Sequence, residues 1–141
     1  MKNGLPVVLV IDGQGGGIGK GIISALKKLG VNAEIVCAGT NPYAADKMYA
    51  MGADRSIFGI DVIAENLKVA DIVAGPIGIL IPNSLKGEIS PRLASAVANA
   101  EAVKVLVPLN KCNILVAGVS ADTLADNIEE AAKTIKRVIE V

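Results

Sequence analysis

At 141 residues, with 14 basic and 14 acidic side chains and no histidine, the chain has zero formal net charge and fits one domain able to bury a sizeable core. No lysine- or arginine-rich cluster occurs and aromatic residues are scarce, so both usual handles for nucleic acid, the basic footprint and the stacking platform, are missing. Cys37 and Cys112 stand far apart without metal-ligand spacing, and the lack of histidine excludes a Cys–His dyad and argues against a zinc site.

The chain is expected in the cytoplasm with reduced thiols and no membrane partner. Asp12 interrupts the first apolar run, and no small-residue cleavage site follows it. The most apolar later stretch, residues 72–81, contains Gly75, Pro76 and Gly78 and is too short to span a bilayer. A composition rich in Gly, Ala, Val and Ile suits a parallel sheet covered on both faces, and its apolarity favours a homodimer.

A first strand is expected over residues 7–12 and a helix over residues 18–29, with Ile22, Ile23, Leu26 and Leu29 on one face and Gly30 as its stop. A second strand follows at residues 33–39. Asn41-Pro42 then supplies a cap and a first-turn proline for a helix ending at Gly52. A third strand at residues 55–58 precedes a short helix capped by Asp61 and reaching about Leu67. Strand four, residues 70–75, runs into GPIGILIPNSLKGEI, residues 75–89, which is long and apolar for a connection. That stretch is either a short helix beside a ligand, with Asn83 and Ser84 turned inward, or a dimer contact. Ser90-Pro91 repeats the cap-plus-proline signal for a helix to about Ala100. Strands five and six, residues 103–108 and 113–119, lie too close for a parallel crossover and are read as an antiparallel hairpin. The last helix, residues 122–139, repeats Leu124, Ile128, Ala131, Ile135 and Val138. The alternation predicts a single α/β domain, a three-layer Rossmann-like doubly wound sheet of order 3-2-1-4-5 with an antiparallel sixth strand at the strand-5 edge.

In such sheets ligands bind outside the carboxyl ends of the strands, near the point where the order reverses. Strand one delivers Asp12, Gly13, Gln14, Gly15, Gly16, Gly17, Ile18, Gly19 and Lys20 to that end. Strand two delivers Gly39, Thr40 and Asn41, strand three leads towards Gly59 and Asp61, strand four delivers Gly75, Pro76 and Gly78, and the turn after strand five delivers Asn110 and Cys112. Five glycines within residues 13–19 cost extra backbone entropy and make sense where N–H groups approach a phosphate at a helix N-terminus. Thr40 and Asn41 are placed to contact a ribose, and residues 75–78 to leave room for the rest of the ligand. Asp12 is expected to accept N–H bonds from the loop, with a magnesium contact or a ligand hydroxyl or amine as alternatives. Cys112, next to Lys111, is read as a structural or ligand-contacting thiol rather than a nucleophile.

The G-x-x-x-G-x-G spacing of Gly13, Gly17 and Gly19 resembles the cofactor loop of short-chain dehydrogenases/reductases, a likeness that implies NAD or NADP. The rest of that family's equipment is missing. Tyr43 and Lys47 have the Y-x-x-x-K spacing but follow strand two, and are read as helix-surface residues. The end of strand two reads Ala38-Gly39-Thr40-Asn41 where an NAD site generally places an acid, and no arginine stands there for a 2′-phosphate. The run from Gly16 to Lys20 also looks like a deviant Walker loop. Gly21 stands where the magnesium-holding hydroxyl belongs and Gln14 where the leading glycine belongs, so ATP hydrolysis of that type is not expected.

Together IDGQGGGIGK, the GTN after strand two, AGPIGILIPNSLKGEISP and VPLNKCNI resemble a family of small proteins from anaerobic Gram-positive bacteria, known as a domain of unknown function. That resemblance implies a cytoplasmic, one-domain, Rossmann-like protein and brings no activity with it. The reading is a nucleotide- or dinucleotide-binding protein, with NAD(P) or another nucleotide as cofactor class. The alternatives are a small NADP-linked oxidoreductase or phospho-ligand transferase, and a homo-oligomeric scaffold with a vestigial site.

Overall fold

Strand β1, Val7–Asp12, is buried along its whole length, and its side chains alternate between two cores. Val8 and Val10 face one, while Val7, Leu9 and Ile11 face the other, which makes β1 a central strand covered on both sides. In the computed structural model, which describes residues 4–109, 114–119 and 123–141, four more strands flank it. They are β2 (Glu34–Gly39), β3 (Arg55–Phe58), β4 (Ile72–Pro76) and β5 (Val103–Val107), all parallel, in the order β3-β2-β1-β4-β5. That is the expected doubly wound order, and it reverses between β1 and β4. Asp12 pairs with Gly39, so β1 and β2 end level with each other.

Helices α1 (Gly17–Lys28), α2 (Pro42–Tyr49) and α5 (Leu124–Glu140) cover one face, contributing Ile22, Ile23, Leu26, Met48, Ala131 and Ile135 to its core. Helices α3 (Ile60–Leu67) and α4 (Pro91–Asn99) cover the other, with Ile63, Leu67, Leu93 and Val97. Local chemistry starts two of these helices as expected. Asn41 accepts the Ala44 N–H at 2.8 Å and Ser90 the Leu93 N–H at 3.1 Å, each followed by proline at the first helical position. Helix α5 begins on Thr123, whose hydroxyl accepts from the Asp126 N–H while the Asp126 carboxylate accepts the Thr123 N–H, a capping box. Gly21 lets α5 seat closely on α1, because a Cβ there would stand 3.0 Å from Ile128 Cδ1.

Two expectations are corrected. Residues 114–119 form no strand. Gly118 turns with φ 86, and Leu115, Val116 and Val119 are all exposed instead of alternating, so their apolar character has no sheet face to serve. The sheet therefore has five strands among the described residues, and Asn113 lies outside them. Asp61 is not the cap of α3. Gly59 takes that position with φ 97 and no side-chain bond, while Asp61 sits in the first turn and pairs with Arg92 of α4.

Candidate functional site

The loop from Asp12 into α1 is braced from within. Gly13 N–H donates to Asp12 Oδ1 and Gly19 N–H to Oδ2, both at 2.8 Å. Burial pushes the Asp12 carboxyl above its ordinary range. The N–H groups of Gly19, Gly13 and Ile18 pull it back, and the negative charge of Glu88 adds to the rise. Asp12 thus serves as an internal acceptor at the α1 N-terminus. Of the roles open to it in the sequence, this geometry serves the bracing of the loop.

A count of the loop's N–H groups leaves two over. Gly16 N–H bonds Gly13 O and Lys20 N–H bonds Gly16 O, both at 2.8 Å, while Gly16 itself turns the chain at φ 69. Gly15 and Gly17 N–H donate to no other described residue. Neither glycine has a positive φ, and a Cβ on either would meet nothing within 4 Å. Gly39 is the opposite case, since its Cβ would lie 2.5 Å from the Asn41 carbonyl oxygen. Packing and backbone conformation therefore account for Gly39 but not for Gly15 or Gly17. Both line a groove of about 420 Å³, formed by residues 12–18 with Pro76, Leu85, Leu109 and Leu124.

Across the loop from this groove stands an acid that sequence reasoning missed. Glu88 Oε1 accepts the Gln14 N–H at 2.8 Å, the Thr40 hydroxyl at 2.5 Å and the Asn41 Nδ2–H at 2.9 Å. Burial raises the carboxyl, but the three donors outweigh that and hold it below its ordinary range. Among the described residues neither Asp12 nor Glu88 enters an ion pair. The signal available in the sequence was a single acid in a glycine-rich, apolar stretch at the carboxyl end of strand four.

The segment carrying Glu88 is a strap. After β4 come one 3-10 turn, Ile77–Leu80, and a run of turns in which Asn83, Leu85 and Lys86 adopt φ 68, 53 and 54. Ser84 is buried and its hydroxyl bonds the Gly78 carbonyl, whereas Asn83 faces outward, so the expected inward pair is half realised. Leu85 lies against the loop, with Cδ1 3.2 Å from where a Cβ on Gly13 would be.

The strand ends thus bring together Asp12, residues 13–19, Gly39, Thr40, Asn41, Gly75 and Pro76, with Gly78 holding the strap. Lys20 lies one turn into α1 and does not line the groove. Asn110 and Cys112 lie outside the described residues. Tyr43 and Lys47 are exposed on α2, with Lys47 Nζ 5.1 Å from the Tyr43 ring centroid. A larger trough of about 860 Å³ lies at the opposite end of the sheet, between α3 and α4. Three of its polar side chains are engaged: Asp71 accepts the Val7 N–H, Lys68 pairs with Glu65 and Asn99 bonds Ser95. The loop end is the better candidate.

The chain belongs to the family described as a domain of unknown function, DUF3842, which matches residues 7–140. It is also similar to the large ribosomal subunit protein uL1 of Pseudomonas putida, 32% identical over 120 residues, which takes in 67% of this chain and 51% of that protein. The chain therefore spans about half the length of that relative. Among solved structures it is similar to an AdoMet-bound rRNA methyltransferase from Sinorhizobium meliloti, with 13% identity, a TM-score of 0.47, and coverage of 96% of this chain and 57% of that one. The terminal R domain from the myxalamid PKS-NRPS biosynthetic pathway gives 10% identity and a TM-score of 0.46, covering 100% and 48% respectively. Among the described residues no helix is long and apolar enough to cross a membrane.

Proposed function

We propose that this chain is a small nucleotide- or dinucleotide-binding protein whose ligand lies over the glycine loop at the carboxyl ends of the strands. The observation that carries this reading is the pair Gly15 and Gly17, whose N–H groups bond no other described residue and whose missing side chains face open space in the groove. Two glycines that neither packing nor φ requires fit a cradle in which a phosphate oxygen approaches the backbone closely. The positive end of α1 favours the same charge. NAD(P) and other nucleotides are the cofactor classes this geometry suits.

A binding or sensing role is preferred to catalysis. Asp12 is spent on backbone N–H groups, Oε1 of Glu88 anchors the strap, and Lys20 stands outside the groove lining, so among the described residues only the second oxygen of Glu88 is left to meet a ligand there, as an acceptor. The reading places the protein in the cytoplasm, in keeping with the buried free thiol of Cys37. It takes the chain as a homodimer, in keeping with exposed Tyr43, Phe58 and Val62, and assigns it no nucleic-acid partner, in keeping with its balanced charge.

Thermal-shift measurements with NAD(H), NADP(H), ATP, ADP, FMN and sugar phosphates, with and without magnesium, test it on wild type and Gly17→Asp. A Cβ at position 17 has room, so the variant keeps its fold and places a carboxylate in the cradle. Ligand at about a hundred times its dissociation constant adds roughly 2.7 kcal/mol, a rise of several degrees. A rise in wild type alone is expected; equal rises in both, or none with any compound, contradict the placement.

A further inference from the structure

We propose that Glu88 is the residue that selects the sugar of the bound nucleotide, receiving the hydroxyls of an unmodified ribose and rejecting a 2′-phosphate at the end of β2. The inference rests on the nucleotide reading above and adds the chemistry of one half of the ligand. In sheets of this order the ribose is held by an acid at the carboxyl end of β2. That position is filled here by Gly39-Thr40-Asn41, with no acid among them. The strap after β4 delivers one to the same place, from the other side of the reversal point.

Three features make Glu88 an acceptor for a hydroxyl rather than a plug. Its Oε1 takes all three protein donors, from Gln14, Thr40 and Asn41, which hold the side chain in one orientation. Its Oε2 has no hydrogen bond to a described residue, and a carboxylate offers about four acceptor sites in all. Asp12, also acidic, feels the negative charge of Glu88, and no lysine or arginine pairs with either among the described residues. A phosphate beside Glu88 therefore meets a carboxylate that no described lysine or arginine pairs with, whereas a diol meets a fixed acceptor. Gly13 and Gln14 line the groove and also lie against Glu88, which is not itself part of the lining, so a ligand with its phosphate on the cradle would have to reach past these two residues to bring its sugar to Glu88.

Isothermal titration of wild type and Glu88→Gln with AMP, 2′-deoxy-AMP and adenosine 2′,5′-bisphosphate decides the point. Wild type is expected to prefer AMP to each of the other two by about tenfold or more, the worth of one hydrogen bond to a charged group. In Glu88→Gln the amide oxygen still accepts from Gln14, Thr40 and Asn41, which keeps the strap in place. The amide nitrogen then replaces Oε2, and the preference against the bisphosphate should shrink to within about threefold. The unliganded melting midpoint of the variant checks the fold, and the 2′-deoxy comparison in wild type needs no variant. If wild type binds all three alike, or Glu88→Gln keeps the preference, the role of Glu88 is overturned. The nucleotide reading then survives provided that Gly17→Asp abolishes binding. If none of the three binds wild type, the role of Glu88 is overturned, and the nucleotide reading falls with it unless another compound of the thermal-shift panel binds wild type and not Gly17→Asp.

Discussion

Gly17→Ala is expected to stabilise the chain and weaken its ligand, two effects that an ordinary structural glycine would not separate. Gly17 is the first residue of α1, its φ is not positive, and an added Cβ meets nothing within 4 Å. The methyl group brings no strain, so its main effect in the absence of ligand is to restrict the unfolded chain, worth about 0.4–1 kcal/mol. For a domain of this size that raises the melting midpoint by roughly 1–4 °C. With ligand the sign reverses. A methyl group on this groove-lining residue should crowd a ligand held on the Gly17 N–H, and losing a hydrogen bond to a charged group costs roughly 1.5–3 kcal/mol, or about tenfold to a hundredfold in affinity. Scanning fluorimetry across a ligand titration reads both quantities from one set of curves. A lower unliganded midpoint means that the glycine is structural after all. A raised midpoint with unchanged affinity means that no ligand comes near it, and either result refutes the reasoning.

Gly39→Ala should fail differently, since its Cβ would lie 2.5 Å from the Asn41 carbonyl oxygen and 2.6 Å from the Ala45 nitrogen, both backbone atoms. A loss of about 1–3 kcal/mol in urea unfolding is expected, and an unchanged midpoint would contradict the close approach of α2 to β2. Ile135→Ala removes a fully buried side chain of α5 and should cost about 2–5 kcal/mol by the same assay; a negligible cost would mean that α5 does not pack on α1 and β5 as described. Acid stability should depend on Glu88. Its folded-state carboxyl is held below the ordinary 4.5, so its contribution is complete above that pH and is lost as pH falls through the folded value. Asp12, raised from 3.8, has the opposite sign and loses its favourable contribution as pH rises through its folded value. Unfolding curves from about pH 3 to about pH 6 should show a shallower acid limb in Glu88→Gln than in wild type, and parallel limbs would count against the three-donor clasp.

Much of the fold was readable because its causes are local. Asn41-Pro42 and Ser90-Pro91 satisfy their own helix starts, and the doubly buried pattern of β1 demands helices on both sides. The errors arose where a distant partner decides. Residues 114–119 are apolar enough for a strand, but nothing in a local pattern says that no neighbour pairs with them. Asp61 has the chemistry of a cap, yet Gly59 takes the cap and Asp61 turns to Arg92, 31 residues away. The glycine loop announced the candidate site by composition alone. Glu88 was invisible for the same reason as Arg92: its partner Thr40 is 48 residues away, and only the strap's turns at Asn83, Leu85 and Lys86 bring the two together.

A ligand held on the Gly15 and Gly17 N–H groups, which bond no other described residue, is read directly in proton–nitrogen correlation spectra. Titration with the strongest binder from the nucleotide panel should move the Gly15 and Gly17 amide signals most, with Gln14 and Leu85 following. Saturable binding that leaves those two signals in place, and shifts instead the trough around Ala64, Ala96 and Ala100 at the far end of the sheet, would contradict that placement.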